Sequence, residues 1–270
     1  MEKALVALSF DDGRMDNYTT VLPILKKYNL PASFNITTGY IEGVVDCKKF
    51  EFPSPMKLSM VRKLFADKQY EIAGHGYYHI NTEEDIIGGI SALCKLLKTD
   101  YLYCEGNGFA SPGSDFTVEM YRGMKSVMDA HDIRYVRLSC RYLGNRWFKV
   151  FLRKVSRIIK WPWIYKMAYS DSLMSNKDDG GVLYSIPILS DTTPSQIRAL
   201  IDRAVKKGAA CVLMFHSVVP ESDVQGNWYY SQNCFEKVFQ TLSYYQEIGI
   251  LRVTTTMGVS RRLNMEGGRL

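Results

Sequence analysis

Four places in the chain carry side chains able to work on a polar bond. Asp11 and Asp12 stand side by side at the end of "ALVALSFDDG", and His75 and His79 bracket "HGYYH". "FASPGS" brings Ser111, Pro112 and Gly113, and "LMFHS" ends an apolar run on His216. On a helical turn, imidazoles at i and i+4 share one face and can share a cation. One carboxylate added to them makes a three-ligand set with open positions, which suits a catalytic ion rather than a closed structural one. Adjacent carboxylates repel, and each favours its protonated form, unless a cation holds one and leaves the other ionised as a base. Singly, each feature has an ordinary explanation, since Asp-Gly is common in turns and most H-x-x-x-H pairs are incidental. Together they point to a divalent ion held with open coordination positions. His131, in "DAHDIR", reads as a structural or surface residue.

The elements that must position these groups alternate along the chain. "ALVALSF", "PASFNITTGY", "QYEIAGHG", "GFASPGS", "IRYVRLS", "GVLYSIPIL", "AACVLMFHSVV" and "ILRVTTT" read as strands, with helical patterns between them. Near-continuous apolar strands alternating with helices imply a parallel sheet covered by helices. Seven or eight such units favour closure into a barrel, in which chemistry sits at the C-terminal strand ends. Asp11-Asp12, His75, Ser111-Pro112-Gly113 and His216 all fall at such ends. The expected fold is α/β, a distorted (β/α) barrel of about seven parallel strands, forming one domain over residues 1–270.

Composition agrees with a globular enzyme. The chain has 270 residues, 46% of them hydrophobic and 23% charged, enough for a large core. Six cysteines (47, 94, 104, 140, 211 and 234) include no C-x-x-C pair, so they read as reduced thiols rather than a disulfide or zinc framework. Met1-Glu2-Lys3 leads straight into the first strand, and no apolar run reaches the roughly 18 residues of a spanning helix, so a cytoplasmic protein is expected. The charge is uneven. Residues 140–168 hold eight basic residues and no acid, leaving 26 basic and 28 acidic residues elsewhere. That segment reads as a basic amphipathic insertion. On a helical wheel, Trp147, Phe148, Phe151, Val155, Ile158 and Ile159 share one face, while Arg146, Lys149, Arg153, Arg157 and Lys160 share the other. One reading is an interfacial helix on an anionic membrane, contacting it over 145–163 through Trp147, Phe151, Ile158, Arg153 and Arg157, at the inner membrane face. The other is a helix that packs its apolar face on the barrel and leaves its basic face in water. No nucleic-acid partner is expected, because nothing else in the chain is basic.

"SFDDG", "HGYYH", "FASPGS" and "LMFHS", in this order and approximate spacing, resemble the polysaccharide deacetylase (NodB homology) family, as does "PASFNITTGYI". The resemblance covers nearly the whole chain apart from about 140–168. It implies a TIM-barrel-related fold and metal-dependent hydrolysis of an N-acyl group on a sugar, with an N-acetylated amino-sugar glycan or precursor as substrate, lipid-linked if the membrane reading holds. By position, Asp12, His75 and His79 would bind the metal, with Zn2+ expected first and Co2+, Ni2+ or Fe2+ also suited. Asp11 would be the general base towards the attacking water, and His216 the general acid towards the departing amine. The Gly113 backbone N–H would help hold the oxyanion, with Pro112 beside it. Trp228 and Tyr229, in "NWYYS", would stack on a sugar ring or pack on the rim. The chain departs from the family at three points, one being that the usual Trp-bearing fourth motif is not evident. Ala110 stands where many relatives carry the Arg that braces the base, and Gly76 stands where Ser or Thr often follows the first His. Two alternatives use the same frame: a deformylase or other linear-amide hydrolase, and an inactive carbohydrate-binding barrel.

Overall fold

The computed structural model describes residues 3–46 and 54–267. Seven parallel strands form the barrel: β1 (Ala4–Phe10), β2 (Ala32–Ile36), β3 (Tyr70–Gly74), β4 (Asn107–Ala110), β5 (Ile133–Leu138), β6 (Val182–Pro187) and β7 (Ala210–Phe215), closed by pairing of β1 with β7. The distortion has a visible cause. One edge of β1 carries β7 along its length. The other carries β8 (Leu251–Thr254) against Ala4–Ala7 and β2 only against Ser9 and Phe10. Between the strands run α1 (Leu22–Lys27), α2 (Thr38–Glu42), α3 (Leu58–Ala66), α4 (Glu83–Leu97), α5 (Val118–Ala130), α6 (Arg146–Ile159), α7 (Pro162–Tyr169), α8 (Pro194–Lys207) and α9 (Gln232–Glu247). The expected strands and barrel are present. Beyond them, α10 (Thr256–Gly267) closes the bottom, where Met257, Val259 and Leu263 pack with Leu5, Ala7, Tyr135 and Val212 inside the barrel.

Strand alternation sorts the side chains. In β1, Val6, Leu8 and Phe10 face the helices, and Leu5 and Ala7 face the interior. The same parity puts a fully buried Phe just before each of three polar residues at the barrel mouth: Phe10 before Asp11, Phe34 before Asn35, and Phe215 before His216. These rings stack, Phe10 on Phe34 at 5.4 Å and on Phe215 at 5.5 Å between centroids, with Phe235 of α9 behind them. Each contributes about 2–3 kcal/mol by burial, and slipping any strand by one residue would trade a ring for a polar site residue.

The β5–β6 connection holds both α6 and α7, where α4, α5 and α8 each make a crossover alone. Its orientation reverses the packed-helix expectation: α6 turns its basic side to the protein and its aromatic side outward. Trp147 is 85% exposed and Ile158 80%. Arg153 is therefore unable to serve as a lipid contact. It is buried, with hydrogen bonds to the carbonyls of Ala168 and Arg141 and its guanidinium over the rings of Tyr142 and Tyr169. Arg157 is likewise turned to the protein, paired with Asp191 at 2.7 Å. Of the cysteines, the five described ones are unpaired, and Cys47 lies outside the described residues.

Candidate active site

Strand register assembles the mouth of the barrel. β1 and β7 run in step from Leu5 opposite Ala210 to Phe10 opposite Phe215, so Asp11 and His216 emerge from neighbouring strand ends. Gly74 of β3 pairs with Phe109 of β4, which sets the next residues, His75 and Ala110, together. A cavity of about 610 Å³ opens there, lined by Asp11, Asp12, His75, His79, Arg137 and His216 among others.

Asp12, His75 and His79 each offer one ligand atom, all within 4.8 Å of one another. "HGYYH" is not a helical turn but a loop between β3 and α4, contrary to the expectation from spacing. Asp12 and His79 reach their places with left-handed backbone, φ 75° and 63°, a conformation that costs such residues about 1 kcal/mol or more. The chemistry of the donor set asks for a positive charge at its centre. His75 Nδ1 donates to the Ala110 carbonyl at 2.7 Å, since that oxygen can only accept. Its Nε2 lone pair then faces Asp12 Oδ1 at 3.4 Å, with His79 Nε2 at 3.2 Å from the same oxygen. A lone pair opposite a carboxylate oxygen is repulsive until a proton or a cation comes between them. These three residues fit a divalent ion.

Both carboxylates are held by arginines the sequence did not single out. Arg14 donates from Nε to Asp12 Oδ2 at 2.9 Å and from Nη1 to Ser217 Oγ at 3.0 Å, leaving Oδ1 turned to the imidazoles. Arg137 donates from Nη2 to Asp11 Oδ2 at 2.7 Å, and from Nη1 to Ser185 Oγ at 2.9 Å. Asn35 donates to the other Asp11 oxygen at 2.6 Å. The charge missing at Ala110 is thus present, displaced by one strand, for Ala110 and Arg137 are lateral partners in the β4–β5 ladder. The missing hydrogen bond after His75 is also replaced. Asp85 of α4 accepts from the backbone N–H groups of Tyr77, Tyr78 and Ile80. Gly76, at φ +78°, lets it approach, because a Cβ there would collide with the Asp85 carboxylate. "RMDN" ties two loops together: Asp16 accepts from Val218 N at 2.7 Å, and Asn17 donates to the His216 carbonyl at 2.7 Å.

These contacts set the charge states. Burial works against ionised Asp11, but Arg137 foremost, then His75 and His216, outweigh it and leave its pKa below the ordinary value. Burial also opposes charge on Asp12, and the His75 and His79 imidazoles, when a proton stands between them and its carboxylate, bring its pKa well below that value together with the Arg14 charge. Burial pushes His216 down to about 4, against the pull of Asp12 and Asp11. Its buried Nδ1 has no hydrogen-bond partner among the described residues.

Of the substrate-side expectations, Gly113 and Trp228 line the cavity, with the Trp228 ring 4.3 Å from that of His216. Pro112 and Tyr229 do not line it. The Pro112 carbonyl accepts from Asn81 at 2.8 Å, and Tyr229 is buried in a short strand, Tyr229–Ser231, paired with Ser217–Val219. His131 caps the end of α5 at an exposed position and does not line the cavity.

Residues 1–126 match the family model described as polysaccharide deacetylase. Over these residues, somewhat less than half of its length, the chain is similar to that family. Among curated proteins, none matches the chain by sequence. Among solved structures, one assigned as a polysaccharide deacetylase from Mycobacterium smegmatis superposes at a TM-score of 0.56, with 14% identity over 98% of this chain and 91% of that one. A family 4 acetyl xylan esterase from Clostridium thermocellum gives a TM-score of 0.48 and 17% identity, covering 96% and 91% of the two chains. The first of these likenesses agrees with the barrel described above. The family match ends before β5, so the arginine that faces Asp11 comes from beyond the matched segment.

Proposed function

We propose that this protein is a divalent-metal-dependent hydrolase that removes an N-acetyl or similar N-acyl group from an amino sugar. The observation that carries the reading is the convergence of Asp12, His75 and His79 beside an arginine-braced Asp11 in one cavity, with His216 at the neighbouring strand end. A cation held by those three side chains, zinc by preference, would polarise the acyl oxygen and acidify the attacking water. Asp11, kept ionised by Arg137, accepts the proton of that water. The backbone N–H of Gly113 is the candidate donor to the oxyanion. His216 supplies the proton that lets the amine depart. Because burial leaves it neutral at pH 7, it donates only after it has itself been protonated, a change favoured by the carboxylates of Asp12 and Asp11. Trp228 offers an aromatic face beside His216 for a sugar ring.

The test is metal analysis of the purified protein, followed by acetate release from N-acetylated amino sugars with and without chelator. The expected result is one bound ion per chain and acetate release that chelator abolishes and zinc restores. Formate released from N-formyl sugars in place of acetate would move the reading to a deformylase. A metal-loaded protein that turns over no N-acyl sugar would leave the inactive binding barrel.

A further inference from the structure

The outward face of α6–α7 has no partner within the fold. Trp147, Phe151 and Ile158 are 85%, 58% and 80% exposed, and Phe148, Ile159, Trp161, Trp163 and Met167 extend the same surface. An amphipathic helix on a globular protein ordinarily buries this side, and a continuous exposed apolar patch marks a docking surface. The inverted mounting is built in, because the inward cations are engaged. Lys149 meets Asp171 at 3.0 Å, Arg153 sits over Tyr142 at 4.0 Å, and Arg157 donates to Asn227 at 2.7 Å.

Three features select the occupant. The patch is rich in Trp and Phe, the side chains that settle at headgroup depth, and Trp161 and Trp163 stand 6.0 Å apart on either side of Pro162. Its charges are of one sign. Lys154 is exposed at its edge and forms no ion pair among the described residues, in a segment without a single acid. Finally, no described helix is long and apolar enough to cross a membrane, so a helix of this kind would lie in the interface plane. The helix that carries this face borders the cavity on its inner side: Tyr142 and Asn227 both line that cavity, and they touch Arg153 and Arg157 of α6.

We propose that the α6–α7 face lays this protein on an anionic membrane surface, with the cavity mouth at the lipid headgroups, and that its amino-sugar substrate is carried by a membrane lipid. The second half rests on the N-acyl hydrolase reading; the docking half does not.

Vesicle co-sedimentation of the full chain tests the docking. The expected result is binding to phosphatidylcholine vesicles containing phosphatidylglycerol, weak binding to phosphatidylcholine alone, and a blue shift of tryptophan emission. Trp147→Ser, Phe151→Ser and Ile158→Ser together should weaken binding about 100-fold, and Lys154→Gln alone about fivefold. No binding by the wild type, or equal binding by the triple variant, overturns the proposal. A wild-type dimer that the triple variant converts to monomer, without any vesicle binding, assigns the face to a second copy instead and also overturns it. The substrate half is read from acetate released from a vesicle-borne N-acetylhexosaminyl lipid against a soluble N-acetylated oligomer. The triple variant should lose only the vesicle-borne turnover; turnover of the soluble substrate alone by the wild type refutes a lipid-carried substrate. Failure of both substrates refutes the hydrolase reading and leaves the vesicle-binding result standing.

Discussion

Replacing Arg137 with Met removes the charge facing Asp11 and leaves a carboxylate inside the barrel mouth. The two side chains are 2% and 3% exposed and lie 2.7 Å apart, so solvent takes up little of the loss. Breaking a pair buried to this degree costs about 3–5 kcal/mol, mainly from the charge left behind. The pH dependence follows from the sign of the Asp11 shift. In the native protein its pKa lies below the unfolded value near 3.8, so its contribution is present above that value and fades as pH falls through the lower folded pKa. Without Arg137, burial dominates and raises the folded pKa above the unfolded one. Folded R137M then binds a proton more readily than its unfolded chain and gains stability on acidification. Urea denaturation with chelator present should therefore show the gap between wild type and R137M at pH 7 narrowing towards pH 4. Asp11→Asn added to R137M should recover much of the loss, because no buried charge is left unpaired. Acetate release by R137M should fall steeply, and Ala110→Arg with Arg137→Ala, which moves the guanidinium to the lateral partner position, should restore part of it. A gap that is absent at pH 7 or widens with acid, or a double variant no more stable than R137M, would refute the pairing as the support of the base.

Arg14→Met should weaken metal affinity about 10–100-fold while the fold persists, because Asp12 loses the anchor on its outer oxygen; competition with a coloured chelator measures it. Gly76→Ser brings back the residue type common among relatives, yet it should lower metal occupancy, since the new Cβ displaces Asp85 from the loop that carries His79; occupancy equal to wild type would contradict this. The folded pKa of His216, about 4 against 6.5 for an ordinary imidazole, means the unfolded chain binds more protons between those values. Stability in chelator should thus fall as pH drops through that window, by up to about 3 kcal/mol from this residue, and His216→Gln should flatten the slope.

What could be read from the sequence divides along a physical line. The barrel and its active end were legible because strand period and apolar runs are local properties. The Phe before Asp11, Asn35 and His216 follows from the same alternation. That Asp12, His75 and His79 would cluster was expected from a resemblance in their motifs, although the spacing of His75 and His79 suggested a helix where the chain forms a loop shaped by Gly76 and Asp85. Arg137 was hidden because it belongs to Asp11 only once ladder register puts it beside Ala110, a lateral relation with no mark in the linear chain. The orientation of α6 was hidden for a related reason. Amphipathicity establishes that two faces differ, but the face that meets the protein depends on which partners the rest of the chain places beneath it. Here Asp171, Asp191, the Ala168 carbonyl and two tyrosine rings await cations, and they outcompete an apolar contact. Buried cations need partners more than exposed aromatics need cover, since an unpaired internal charge costs more than leaving a ring wet. The same balance that anchors the helix leaves Trp147, Phe151 and Ile158 facing outward, so the docking face follows from how the inner face is satisfied.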